Sequence, residues 1–260
     1  MSENVLKTID EEQGVAYITL NRPEKHNAFD ENVINTLNDT WNKLSQRPDI
    51  KAVILKARGK SFCAGADINW MAKAAKFGAD ENIDDARNLA QMLYNFYSLP
   101  QFTVSLVQGR ALGGGLGLVA CSDFVIAERH CVFSFPEVRL GLTPATIAPY
   151  IIKVIGPRHA KRYFQSAEQF TAQRALDIGL VHELGEDIEE LEMMLEGLLE
   201  TISQNDPQAI RHSKNLVTDL QDAEISEAIC KETADRLAII RGSDEAKRRL
   251  EAFLNKRKKE

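Results

Sequence analysis

Thr103–Val107 (TVSLV) followed by Gly109–Gly117 (GRALGGGLG) decides the fold class. A short run, three of its five residues β-branched, passes through a turn of small residues into an apolar stretch that should be helical to about Cys121. FVIAE (Phe124–Glu128) and VFSF (Val132–Phe135) then supply two more short strands. Upstream the same unit recurs: AVILKA (Ala52–Ala57) reads as a strand, the loop Gly59 to Asp67 follows, and a helix rich in small residues leads to a helix predicted over Asp84–Tyr97. There Leu89, Met92, Leu93 and Phe96 share a face. Further out, VLKTI (Val5–Ile9) and VAYITL (Val15–Leu20) flank the acidic turn Asp10–Gly14 and read as a β-hairpin. NRPEKHNAF forms a loop, and Asp30 caps a helix whose Val33, Leu37, Trp41 and Leu44 recur at helical spacing. Strand, helix, strand implies a parallel crossover.

After Pro144 helices follow almost without interruption, among them Ile188–Ile202, and only IGLVHEL (178–184) looks extended. These patterns predict an α/β core over residues 1–180. A helical C-terminal segment over 181–260, not folding independently, ends in a solvated basic run from Lys256 to Lys259. No Pro/Ser-rich linker and no repeat of solenoid period divides them.

Composition narrows the class. The 260 residues, 44% hydrophobic and 27% charged, suit one large packed domain. A formal net charge of -6 provides no global positive field for a nucleic-acid backbone. The opening MSENVLKTIDEEQ lacks the basic and apolar regions of a signal peptide, and no apolar run approaches the roughly 18 residues of a spanning helix, so a cytoplasmic protein without a membrane role is expected. Cys63, Cys121, Cys131 and Cys230 are scattered without a CxxC pair, which indicates neither a metal site nor a disulfide framework.

Three stretches carry candidate chemistry. The GGGLG run satisfies neither GxGxxG nor a phosphate-binding loop with its Lys-Ser or Lys-Thr. A glycine run opening a helix nevertheless lets a ligand approach free backbone N–H groups that favour a negative oxygen; tight strand-to-helix packing is the plainer explanation. FCAGAD offers similarly uncluttered backbone after a predicted strand. Two such loops at the carboxyl ends of parallel strands would supply two N–H donors to a developing oxyanion. In FSFPEVRLGLTP, Glu137 stands among Phe133, Phe135, Val138 and Leu140, where desolvation would raise its pKa and suit it to proton transfer; a surface glutamate paired with Arg139 is the alternative. His26, His130, His159, His182 and His212 occur singly, with no metal-ligand or nucleophile spacing around them.

Taken in order, NRPEKHNAF, SFCAGADIN, VQGRALGGGLGLVACSDFVIAE, FSFPEVRLGLTP and IGPRHAKRYFQSAEQFTAQRALDIGLV resemble the crotonase, or enoyl-CoA hydratase/isomerase, superfamily over nearly the whole chain. The resemblance implies a crotonase (ClpP/crotonase-like) α/β fold of repeated ββα units, with a helical C-terminal segment that forms homotrimers and, in many members, hexamers. It implies an acyl-CoA thioester as substrate, with coenzyme A arriving as part of it and no tightly bound cofactor. By position, the N–H groups of Ala66 and Gly114 would form the oxyanion hole and Glu137 would be catalytic. Lys25, His26, Ala28, Ala64, Asp67, Ile68 and Pro136 would line the CoA and substrate channel, Lys25 serving as the local cation for a polyanionic ligand.

One departure matters. Two-carboxylate hydratases of this superfamily carry a glutamate where this chain has Gly117, and the PGxGG that follows their PE motif is here Pro144, Ala145, Thr146, Ile147 and Ala148. A single carboxylate suffices to move a proton from C4 to C2 of a 3-enoyl-CoA, which is isomerisation. GGGLGL with EVRLGLTPATIAPYI instead resembles a bacterial subgroup that hydrates 3-methylglutaconyl-CoA in leucine and isoprenoid breakdown. Hydration is the favoured expectation, single-glutamate isomerisation the alternative, and an inactive binding subunit of the same fold a third.

Overall fold

The computed structural model describes residues 3–257, and side chains as far as residue 255, so the side chains of the run Lys256 to Lys259 lie outside the described residues. The chain forms two compact units divided at Pro207/Gln208. The first opens with the expected hairpin of β1 (Val5–Asp10) and β2 (Val15–Leu20), with Val5 opposite Leu20. Asp10 fixes its turn by accepting the N–H groups of Glu12 and Gln13 at 3.1 and 2.9 Å. A single 3-10 turn at Pro23–Lys25 precedes α1 (Glu31–Ser45), which Asp30 caps by accepting the Val33 N–H. The strand β3 (Ala52–Ala57) then leads through loop 58–67 to α2 (Ile68–Ala74) and α3 (Ala79–Tyr97).

α3 starts five residues before its apolar periodicity does. The Glu81 carboxylate accepts the Gly78 N–H at 2.9 Å and closes the first turn, while Ala79–Ile83 face water and carry no core pattern. β4 (Phe102–Val107) is followed by β5 (Arg110–Leu112) and α4 (Gly114–Cys121), so the GRALGGG stretch holds a three-residue strand that the following glycines mask in the sequence. β6 (Phe124–Glu128) and β7 (Val132–Ser134) lead to α5 (Ala148–Ser166), which is interrupted at Gly156 before Pro157. Then come β8 (Phe170–Thr171), α6 (Ala172–Asp177), β9 (Glu183–Gly185) and α7 (Ile188–Ser203). Of the expected extended stretch 178–184 only its end is strand; the N–H groups of Leu180 and Val181 both turn back to the Ala175 carbonyl.

β1, β2, β3, β4, β6 and β9 form one sheet in that order, parallel throughout except for the opening hairpin. β5, β7 and β8 form a second, with β5 and β7 parallel. Two strands, one for each sheet, then a helix is the repeated unit, visible in β4-β5-α4 and β6-β7-α5. After β3 the second strand shrinks to a single bridge, Cys63 to Ala111, which leaves the rest of that loop free to serve another purpose.

The large sheet is buried on both faces, as parallel sheets are. Val53 and Leu55 point into a core shared with Val33, Leu37 and Trp41 of α1 and Met92, Leu93 and Phe96 of α3, where the Trp41 and Phe96 rings stack at 4.6 Å. Ala52 and Ile54 point the other way, to Leu106, Ile126 and the Leu191, Leu195 and Leu199 stripe of α7. That helix therefore completes the core, which places the compact boundary at 207 where the sequence suggested 180.

The second unit holds α8 (Pro207–Leu220), α9 (Glu227–Arg241) and α10 (Asp244–Arg257), with Arg236 pairing Asp219 and Glu232. No residue of α8 or α9 is buried.

Leu37 is fully buried and Leu140 is 59% exposed. Leu37→Ala should therefore lower the unfolding free energy by about 2–5 kcal/mol, whereas Leu140→Ala should stay within about 0.5 kcal/mol of the parent; urea denaturation followed by circular dichroism measures both.

Candidate active site

The loops that leave β3 and β4 at their carboxyl ends are zipped to each other. The Gln108 side-chain amide donates to the carbonyls of Ala57 and Gly59 at 2.6 and 3.2 Å. Phe62 donates to the Gln108 carbonyl, Cys63 to that of Arg110, and Leu112 back to that of Cys63. Small residues make this approach possible: a Cβ on Gly115 would lie 2.8 Å from the Cys63 carbonyl, and one on Gly65 3.1 Å from that of Leu112. The two loops read from the sequence as a converging pair do converge.

Their backbone polarity follows from the peptide plane. In a trans peptide the N–H points opposite to the preceding C=O. Phe29 pairs Ala66 in an isolated parallel bridge, in which the Phe29 N–H donates to the Gly65 carbonyl and the Asp67 N–H to the Phe29 carbonyl, both at 2.7 Å. With the Gly65 carbonyl held inward, the Ala66 N–H is turned outward, on a residue exposed to solvent. Gly113 repeats the arrangement: its carbonyl accepts the Leu116 N–H at 2.9 Å, so the Gly114 N–H, the first of α4, points out of the helix. The Phe29 ring lies 3.3 Å from where a Gly114 Cβ would be, which places both donors around one residue.

Glu137 is delivered by the second sheet. β7 runs beside β5, and the Gly113 N–H donates to the Ser134 carbonyl at 3.0 Å, so the chain beyond β7 passes over the glycine turn. Gly113 holds φ +49, and a Cβ there would lie 2.9 Å from Glu137 Oε1 and 3.9 Å from Pro136 Cδ. Only glycine meets both the backbone and the space requirement. Oε2 of Glu137 is buried with no hydrogen-bond partner. Burial accordingly pushes this carboxyl above its ordinary value, against a smaller opposing pull from its own backbone N–H. Arg139 does not pair with it; the guanidinium donates instead to the Ala167 carbonyl at 2.8 Å. Val138 and Leu140, expected to enclose it, are exposed, whereas Phe133 and Phe135 are fully buried.

The remaining candidates fall into two groups. Loop 21–29 lies along 64–67, since the Ala64 N–H donates to the His26 carbonyl at 3.0 Å. This brings Lys25, His26, Ala28 and Ala64 beside Ala66, with Lys25 exposed and His26 Nδ1 3.1 Å from Ser61 Oγ. Ile68, 82% exposed, opens α2 next to them.

The Asp67 side chain is committed to the scaffold. Its carboxylate is buried, caps α2 by accepting from Asn69 and Trp70, and pairs with Arg22 at 3.0 Å. Burial pushes it up, but those donors prevail and hold it below its ordinary range. Arg22, Phe29 and Gly113 were missed as site residues; Arg22 and Phe29 lie in a loop that was singled out, but nothing in their spacing distinguishes them.

Gly117 is buried, and a Cβ there would meet Ile147 Cγ2 at 2.4 Å and Leu93 Cδ2 at 3.1 Å. Ile147 comes from the same altered stretch, 144–148, that the sequence singled out. The described residues contain no cluster of His, Cys, Asp or Glu fit to hold a metal, and no helix long and apolar enough to cross a membrane. Burial pushes the Cys63 and Cys131 thiols up to about 12, which leaves them as packing groups.

Two outward N–H groups beside one desolvated carboxylate can polarise a carbonyl and move a proton at the neighbouring carbon. Residues 10–260 match the enoyl-CoA hydratase/isomerase family, and the chain belongs to it. The crystal structure of an enoyl-CoA hydratase from Shewanella pealeana is 38% identical, covers 98% of this chain and 94% of its own, and superposes with a TM-score of 0.93. The crotonyl-CoA hydratase of Syntrophomonas wolfei is 30% identical over 98% of this chain and 96% of its own length. The enoyl-CoA isomerase/hydratase of Mycosarcoma maydis is 31% identical over 94% and 91%. The fold is thus the crotonase fold, and the protein is an enzyme of the hydratase/isomerase family.

Introducing a carboxylate at Gly117 would overpack the Ile147 contact and bury a charge. Gly117→Glu should lower stability by about 1–3 kcal/mol or more and should not raise crotonyl-CoA hydration tenfold. Adding Ile147→Ala should recover part of the loss; thermal unfolding and steady-state rates on the single and double variants decide this.

Proposed function

We propose that the protein adds water across the 2,3 double bond of an enoyl-CoA. The observation that carries this reading is the convergence of the Ala66 and Gly114 N–H groups with a carboxylate whose Oε2 has no partner. The two N–H groups hold the thioester oxygen and gain strength as it becomes an enolate, so they stabilise the transition state more than the ground state. Glu137 takes a proton from the water that attacks C3; the double-bond electrons move onto the thioester oxygen. The protonated Glu137 then returns the proton to C2, and one water has been added with the carboxylate regenerated. The raised pKa suits this exchange, because a base and an acid of the same group must both be accessible near neutrality.

In this reading Lys25, which is exposed beside Ala64 and His26, would meet the phosphates of the CoA moiety, which enters as part of the substrate. The acyl group we favour is 3-methylglutaconyl, on the strength of the GGGLGL and EVRLGLTPATIAPYI stretches. A second reading is favoured by one observation: the atoms nearest a Cβ at Gly117 belong to apolar Ile147 and Leu93, and the residue itself brings no carboxylate to hold water. Glu137 alone would then carry a proton from C4 to C2 of a 3-enoyl-CoA. We also propose a homo-oligomer, a trimer or two stacked trimers, because Leu216, Val217, Leu237, Ile239, Phe253 and Leu254 of the second unit are all exposed.

A panel of enoyl-CoA thioesters, including 3-methylglutaconyl-CoA and a 3-enoyl-CoA, separates the readings by mass spectrometry. Hydration adds the mass of one water; isomerisation leaves the mass unchanged; turnover of none would point to a binding subunit.

Glu137→Gln should reduce kcat by about 10²–10⁴-fold and remove the acid limb of the pH profile of kcat/KM. In the parent that limb should lie above the ordinary glutamate range.

The same substitution has a stability signature of definite sign. A folded-state pKa raised above the unfolded one gives a contribution that is complete below the unfolded value and is lost as pH rises through the folded value. Glu137→Gln should therefore melt above the parent at pH 8, with the gap closing toward pH 4, as read by differential scanning calorimetry.

A further inference from the structure

Arg22 lies at the end of β2, its side chain only 12% exposed, and it serves three acceptors from three directions. One terminal nitrogen, Nη1, donates to the Ala28 carbonyl at 2.7 Å and pairs with Asp30 Oδ2 at 3.1 Å. The other, Nη2, donates to Asp67 Oδ2 at 3.0 Å. Ala28 and Asp30 are the two neighbours of Phe29, and Asp67 is the neighbour of Ala66. The guanidinium therefore surrounds the single bridge, Phe29 to Ala66, that turns the Ala66 N–H outward.

Asp67 and Asp30 are two carboxylates on opposite sides of the bridge, and among the described residues Arg22 is the cation paired with both. Oδ1 of Asp67 caps α2 through Asn69 at 2.8 Å, so the carboxylate links the guanidinium to the helix start as well. The backbone N–H of Arg22 is itself fixed by Asn27 Oδ1 at 2.8 Å, while Asn27 Nδ2 reaches the carbonyls of Arg58 and Ser61 at 2.8 and 2.7 Å. Loop 21–29 and loop 58–67 are thus joined at both ends, with Arg22 at the end beside Ala66. A planar fork with fixed donor directions suits this task, and a lysine ammonium does not.

We propose that Arg22 is a positioning residue for the reaction: it aims the Ala66 N–H at the thioester oxygen through Asp67 and the Phe29 bridge, without touching substrate. The inference rests on the assignment of Ala66 as an oxyanion donor. A displacement of that donor by a fraction of an ångström weakens it most where the oxygen carries full enolate charge. Loss of Arg22 should consequently fall on kcat and leave ground-state binding intact.

Arg22→Lys and Arg22→Gln are compared with the parent in the full-length protein. For each, kcat on the best enoyl-CoA from the panel is measured beside the affinity for butyryl-CoA, a saturated thioester, and for acetoacetyl-CoA, whose enolate form presents a charged oxygen to the site. The expected result is a loss of tenfold or more in kcat, an equal loss in acetoacetyl-CoA affinity, and butyryl-CoA affinity within twofold of the parent. A kcat within twofold of the parent would overturn the inference. So would a butyryl-CoA affinity that falls in step with kcat, or failure of both variants to fold, since either assigns Arg22 to the scaffold alone. Ala66→Pro, which deletes the N–H, and Glu137→Gln keep the underlying assignment separate. If both retain parental kcat, the proposed function fails; if both lose it while Arg22→Lys and Arg22→Gln do not, only the role of Arg22 fails.

Discussion

The planarity of two peptide groups governs this site. A trans peptide cannot turn its carbonyl and its N–H to the same side, so a fold that satisfies the Gly65 and Gly113 carbonyls internally must present the next N–H of each to whatever lies opposite. The first carbonyl is taken by Phe29 through a bridge one residue long, the second by the opening turn of α4. Both are ordinary secondary-structure bonds. They also polarise the N–H on the far side of the same amide, since linked hydrogen bonds strengthen one another. The surrounding architecture serves to bring these two planes together: β3 and β4 are adjacent and parallel, their loops leave at the same edge, and the residues between them are small enough for backbone to meet backbone.

Against this backbone polarity stands one side chain held at an energetic disadvantage. Glu137 keeps a buried oxygen without a partner, a condition that costs stability in the ionised form. Neutralisation by a nearby cation is averted by the same packing. Arg139, two residues away, is drawn to the Ala167 carbonyl, and Arg22 is consumed by Asp30 and Asp67. These two guanidinium groups are thus committed to the scaffold, and the Glu137 carboxylate stays desolvated.

Much of the fold was legible in the sequence because its signals are local. The short apolar run AVILKA, the helical spacing of Val33, Leu37, Trp41 and Leu44, and the cap at Asp30 depend on neighbours in the chain, and each element formed where its pattern lies. Elements whose pairing is remote were harder to see. β5 is three residues long and is a strand only because β7 runs beside it, and the extended look of 178–181 gave way to a turn on the Ala175 carbonyl. The helix α3 began early because a glutamate cap, not an apolar stripe, starts it.

The sequence by itself determined the class of chemistry: small-residue loops after two strands and a lone glutamate in an apolar segment are facts of residue type and order, and the family resemblance adds that Gly117 stands where a second carboxylate would be. Tertiary structure alone decided which way those groups point. Whether Glu137 pairs with Arg139, whether Asp67 faces a ligand or caps a helix, and whether Gly117 is a vacancy or a contact each depend on residues about 20 or more positions away, or on which side of a short turn a chain emerges. Local propensity carries no information about such partners, because hydrogen-bond direction and close packing are set by the backbone that arrives from elsewhere in the fold.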